Sequence, residues 1–160
     1  MNKFINHIFV IPEDKADEEI ANGFVNHERV DGRRIQVMPI ARGWNNVLTT
    51  FQEEYIPRLR KYPLGHVVMF IDFDGQGKDR LANFLQAIPD DLKGRAFVVG
   101  SSNNPEALKA AINLSLERIG WRLAEDCVLG DIGLWDHEQL QHNAEQRQRL
   151  ATVVQEFLFI

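Results

Sequence analysis

His66-Val67-Val68-Met69-Phe70-Ile71-Asp72-Phe73-Asp74-Gly75-Gln76-Gly77-Lys78 is the stretch on which the reading of this chain turns. Its unbroken apolar run, Val67 to Ile71, has the length and β-branched content of a strand buried on both faces. Such strands belong to parallel sheets covered by helices. We therefore read 66–73 as a strand, and the segment from Lys78 to Ile88 as the helix that returns from it. Upstream, Phe4 to Ile11 is a second buried run, followed by an amphipathic helix over 17–25 with Ile20, Ala21 and Phe24 on one side. Residues 34–40 alternate like a strand, and 44–62 carry Val47, Leu48, Phe51, Tyr55 and Leu59 at helical steps, with a break expected at Pro57. Downstream, 96–100 is a short core strand. Asn104 is positioned to cap a helix over 105–114, Ser115 one from Leu116 towards Cys127, and Asn143 one that runs to about Glu156. Residues 130–136 read as loop.

Strands alternating with helices give an α/β class, with a mainly parallel central sheet of about four strands and helices on both faces. The 160 residues suit one domain, 1–160, of which 115–160 form a C-terminal helical extension. Eighteen basic against 23 acidic side chains leave a net charge of −5, so a partner held by bulk positive charge is not expected. Basic clusters at Arg29, Arg33 and Arg34 and at Arg58, Arg60 and Lys61 read first as solvated faces. No apolar run is long enough to cross a bilayer, and Met1-Asn2-Lys3 leads to Pro12 without a small-residue cleavage site. A single cysteine, Cys127, forms no internal disulfide and reads as a buried structural thiol, so a cytoplasmic location and no membrane partner are expected. His137 and His142 are five apart, which does not match the i, i+4 spacing of a helical zinc site.

Ligands of parallel α/β sheets sit beyond the carboxyl ends of the strands. Two of those ends are acidic here: Ile11-Pro12-Glu13-Asp14-Lys15-Ala16-Asp17 and Ile71-Asp72-Phe73-Asp74-Gly75. Glu13, Asp72 and Asp74 can converge on one edge, Asp72 and Asp74 sharing a face if the strand stays regular. Asp17 follows Glu13 by one helical turn. Gathered carboxylates repel, and a hard divalent cation relieves that repulsion while leaving positions for a phosphate oxygen. The bland alternative for each acid alone is a helix cap or a solvated loop carboxylate.

These two segments resemble the signatures of the Toprim family, a glutamate after the first strand and D-x-D after a later one. The likeness spans roughly the first hundred residues and is nearest to the branch found in OLD-type nucleases. Asp14 stands where that family usually has glycine. What the resemblance implies is a Toprim- or Rossmann-like fold and a Mg²⁺ or Mn²⁺ site. Asp72, Asp74, Glu13 and Asp17 would be its metal ligands, and Glu13 the proton-shuttling residue. Ser101, Ser102 and Glu106, after the next strand, match loosely the additional polar residues of that branch. The implied activity is metal-dependent phosphodiester hydrolysis or phosphoryl transfer on nucleic acid. Lys78 or one of the arginines would steady the developing charge. With no basic appendage in the chain, a partner protein or a second subunit would be a source of grip on nucleic acid.

Two rival readings use the same residues. In a haloacid-dehalogenase-type phosphatase, Asp72 of Asp72-x-Asp74-Gly75 would be the nucleophile and Asp74 the acid/base. That motif normally opens the chain and continues with Thr or Val, where Gln76 stands here, and it leaves Glu13 unused. The other rival is a catalytically degenerate module for binding and interaction, with Trp44, Trp121 and Trp135 as aromatics for a partner surface or, more simply, for the core. Gly75-Gln76-Gly77-Lys78 lacks the first glycine of a phosphate loop and is not read as one.

Overall fold

A computed structural model describes residues 4–160. Four strands, β1 (His7–Pro12), β2 (Ile35–Val37), β3 (Gly65–Phe70) and β4 (Ala96–Val99), form one sheet in the order β2-β1-β3-β4, and all three pairings are parallel. Helices cover both faces, so the architecture is the α/β class expected. One face carries α1 (Lys15–Val25), α5 (Pro105–Ile112), α6 (Leu116–Leu129) and α7 (Ala144–Val154). The other carries α2 (Trp44–Thr50), α3 (Ile56–Lys61) and α4 (Gly77–Ala87). No helix among the described residues is long and apolar enough to cross a membrane.

The division of helices follows from strand order. From β1 the chain first moves to one neighbour, β2, through α1, and then passes back over β1 to the other neighbour, β3, through α2 and α3. Right-handed crossovers in opposite directions must use opposite faces. The crevice between the ends of β1 and β3 is therefore the switch point of the sheet, where loops diverge and leave room for a ligand. Alternation along the strands separates two cores. Ile8, Val10, Val68, Phe70, Phe97 and Val99 face α1, α6 and α7, whereas Phe9, Ile11, Val67, Met69 and Val98 face α2–α4. Residues 116–158 contribute Leu116, Ile119, Leu123, Trp135, Leu140, Val154 and Leu158 to the first of these cores.

Close approach of α1 and α6 depends on two glycines. A Cβ on Gly120 would lie 1.9 Å from the Ile20 carbonyl oxygen, and one on Gly23 would lie 1.9 Å from the Glu117 carbonyl oxygen. Only hydrogen side chains let these backbones touch.

Several local expectations are corrected. The first strand opens at His7, not Phe4, and the expected strand over 34–40 is paired only at 35–37, with Pro39 unable to extend the ladder. The third strand ends at Phe70, and Asp72 and Asp74 lie in the loop after it. The break at Pro57 takes the form of a π-helical turn, Phe51–Tyr55, that precedes α3. Pro57 has no N–H to donate. The ladder widens just before it, the Ile56 N–H reaching back five residues to the Phe51 carbonyl. Asn104 and Ser115 cap α5 and α6 as expected, accepting from Ala107 N and Arg118 N. Asn143 does not cap α7 with its side chain. That buried amide instead accepts from Gly100 N at 3.1 Å and donates to Gly100 O and Leu140 O, both at 2.9 Å, clasping the end of β4. The expected loop 130–136 contains a 3₁₀ turn, Gly133–Asp136, held by the Leu134 N–H on the Asp126 carboxylate.

Candidate metal centre

The switch point gathers acids from three places. Glu13 follows β1, Asp17 lies in the first turn of α1, and Asp72 follows β3. One oxygen from each of the three lies within 4.8 Å of the other two. All three are buried, Asp17 completely.

Local structure explains each position. Pro12 ends β1, and Asp14 caps α1 by accepting the Asp17 N–H at 3.0 Å. That cap starts the helix at Lys15 and turns Asp17 back over the sheet edge. The Glu13 main chain is held on both sides. Its N–H donates to Phe70 O at 2.9 Å, and its carbonyl accepts from Arg42 N at 2.8 Å. Its side chain crosses to the neighbouring loop, where Oε2 accepts the Asp72 N–H at 2.5 Å. Glu13 thus ties the two strand ends into one unit.

Electrostatics at this point are uncompensated. Neither oxygen of Asp17, nor Oδ1 of Asp72, meets a donor. Burial, followed by the neighbouring Asp72 carboxylate, pushes the Asp17 carboxyl far above the usual carboxylate range. Burial also raises the Asp72 carboxyl, to about 8. Glu13 is raised by burial too, partly offset by the Asp72 N–H. A buried carboxylate with no donor or cation is expensive, and natural interiors rarely keep one. Oxygens bound to one Mg²⁺ at about 2.1 Å lie no more than about 4.2 Å apart, so this triad needs only small side-chain shifts to take one. The donor set is all oxygen and hard, which fits Mg²⁺ or Mn²⁺.

The other sequence-derived residues fall around this triad in different ways. Asp74 does not share a face with Asp72. Its φ of +48°, followed by Gly75 at +73°, turns the chain outward, and its half-exposed carboxylate pairs with Arg80 at 2.7 Å. Lys78 is exposed on the first turn of α4 and makes no ion pair among the described residues. Ser101 follows β4, is 2% exposed, and has an Oγ with no partner. By strand alternation it leaves the sheet on the same side as Asp72. Ser102 is engaged elsewhere, donating its hydroxyl to Gln139 at 3.0 Å. Glu106 is exposed in the first turn of α5. Cys127 is the inert thiol expected, pushed up to about 11 by burial. The basic clusters are largely engaged on the surface, with Arg33 on Asp31 and Arg60 on Asp91. Trp135 is in the core, whereas Trp44 and Trp121 are half-buried.

Arg80 is the arginine that sequence reasoning did not single out. Its Nη1 donates to the Asp72 carbonyl at 3.0 Å and to Asp74, and its guanidinium lies over the Trp44 ring at 4.6 Å. Nothing in the local sequence marks it. It reaches the acids only because the Gly75-Gln76-Gly77 turn folds α4 back across the end of β3, while the Glu13 carbonyl fixes the loop that carries Trp44. A comparison with protein-family models, curated proteins and solved structures finds no match to this chain.

Proposed function

We propose that this chain is a Toprim-like, divalent-cation-dependent enzyme that hydrolyses phosphodiester bonds of nucleic acid, with Glu13, Asp17 and Asp72 as its metal-holding residues. The observation that carries this reading is Asp17: a fully buried carboxyl, both oxygens without a donor, facing two further acids at the sheet's switch point. A cap or a solvated acid, the bland reading, needs neither that burial nor that company.

When bound, Mg²⁺ or Mn²⁺ would supply Lewis-acid polarisation of a phosphoryl oxygen and lower the pKa of a water. The chain's own residues do the rest. Asp17 and Asp72 would hold the cation through their unpartnered oxygens. Glu13, fixed by the Asp72 N–H, keeps a second oxygen free to hold or pass a proton, and its raised affinity for protons suits that task. Ser101, with its unpartnered hydroxyl on the same side of the sheet, is a donor for a substrate or water oxygen. The phosphatase alternative draws less support, because Asp74, its acid/base, is paired with Arg80.

The test is hydrolysis of labelled single- and double-stranded DNA and RNA in Mg²⁺ or Mn²⁺, with and without chelator. The reading expects metal-dependent cleavage that Asp72→Asn abolishes while leaving the fold intact by circular dichroism. Cleavage that survives chelation, or that Asp72→Asn retains in full, overturns it.

A further inference from the structure

Resting on that reading, we infer that Asp74 is not a ligand of the metal centre but the internal counter-ion of a phosphate-binding arginine, Arg80. The argument starts from the turn. At φ +48° a non-glycine residue occupies the left-handed region at a cost, and here that conformation sets the Asp74 carboxylate on Arg80 and outside the three acids whose oxygens lie within 4.8 Å of one another. A ligand would be expected to remain beside Asp72; this side chain is half exposed, and its strongest contact is a cation.

Arg80 is held more firmly than its partner. Its side chain is only 12% exposed, it stacks on Trp44, and the nitrogen that meets Asp74 also donates to the main chain of Asp72. The guanidinium is therefore fixed at the lip of the acid triad. Charge explains why a cation belongs there. Three ionised carboxylates and one divalent ion leave a net negative site, which repels a phosphodiester. A planar guanidinium offers paired N–H groups that match two phosphate oxygens, and Asp74 Oδ2 now occupies one of its donors, Nη1. Phosphate and the Asp74 carboxylate compete for the same donors, so Asp74 keeps Arg80 oriented and neutralised until a phosphate takes its place. Asp74 is a positioning residue, and Arg80 is the group that touches substrate.

Calorimetry separates the possibilities. Mn²⁺ is titrated into wild type, Asp72→Asn and Asp74→Asn, and inorganic phosphate is then titrated into the Mg²⁺-loaded wild type, Asp74→Asn and Arg80→Gln. Thermal unfolding checks that each variant folds. We expect Mn²⁺ affinity in Asp74→Asn within about twofold of wild type, against a loss of more than about tenfold in Asp72→Asn. We expect phosphate to bind more tightly to Asp74→Asn, where the competing carboxylate is gone, and more than about tenfold less tightly to Arg80→Gln. A purely structural role for Asp74 would not strengthen phosphate binding. Loss of Mn²⁺ in Asp74→Asn equal to that in Asp72→Asn overturns the inference while leaving the metal reading intact, as does phosphate affinity indifferent to Arg80→Gln. Wild type that takes no Mn²⁺ at all overturns the metal reading and the inference with it.

Discussion

Replacing Asp17 by Asn should make the metal-free protein more stable, an unusual result for a buried polar residue. The carboxyl is fully buried, has no donor, and is held far above the usual carboxylate range by burial and by Asp72. Its cost to the fold is bounded, because the group can always take a proton instead of carrying a charge. From its ordinary value of 3.8 to pH 7 that bound is about 1.4 kcal/mol per pH unit over roughly three units, or about 4 kcal/mol. Asn removes the cost and can donate to Asp72 or Asp14, so a gain of about 2 kcal/mol is a conservative expectation. For a chain of this length that is a rise in Tm of about 4–8 °C.

The sign of the pH dependence follows. A carboxyl raised in the folded state contributes its stability fully below its unfolded value and loses it as pH rises towards the folded one. Metal-free wild type should therefore close on Asp17→Asn by about 1.4 kcal/mol for each unit that pH falls from 7 to 5. Urea unfolding of both proteins in chelator at pH 7, 6 and 5 reads this directly. Asp17→Asn less stable than wild type at pH 7, or a gap independent of pH, would refute the reasoning that Asp17 is an uncompensated buried acid.

Other perturbations test the scaffold. Gly120→Ala drives a methyl into the Ile20 carbonyl and should cost about 2–3 kcal/mol in urea unfolding, far beyond the effect of alanine at an exposed helical site. Asn143→Ala strands the Gly100 N–H and carbonyl in the interior and should cost about 3 kcal/mol, with faster hydrogen exchange at the end of β4. His7 and His66 are both held below their ordinary value of 6.5 by burial, so the unfolded chain takes up protons first. Stability from these two is fully present above pH 6.5 and is lost as pH falls through it. Buried Asp72 and Glu13 act in the opposite sense, so the histidine effect is read as a difference: between pH 7 and 5 the urea midpoint of wild type should fall relative to that of His66→Gln.

What could be read in the sequence was whatever depends on the chain's own periodicity. The apolar run 67–71 carries the parallel sheet, because a strand buried on two faces needs helices on both. Asn104 and Ser115 cap helices because a cap is a contact over three residues. Glu13 and Asp72 were legible as neighbours because parallel strands put their ends on one edge, and Asp17 because it follows Glu13 by one helical turn. What escaped depends on tertiary context. The two-residue spacing of Asp72 and Asp74 suggested a shared face, but Asp74-Gly75 is also a turn signal, and the left-handed turn won. Arg80 joins the site only through the packing of α4 and Trp44. Asn143 lies at a helix start by sequence and bonds instead to a strand 43 residues away. The π-helical turn before Pro57 is one of several ways to accommodate a missing donor, and packing of Phe51 and Tyr55 into the core selects it.

The most direct test of the central claim is a calorimetric titration of Mn²⁺ into wild type, Glu13→Gln and Asp17→Asn at neutral pH. The account predicts a single site in wild type, weakened in Glu13→Gln and lost in Asp17→Asn although that variant is the more stable protein without metal. Wild type that binds no Mn²⁺ at millimolar concentration, or Asp17→Asn that binds it as well as wild type, would contradict it.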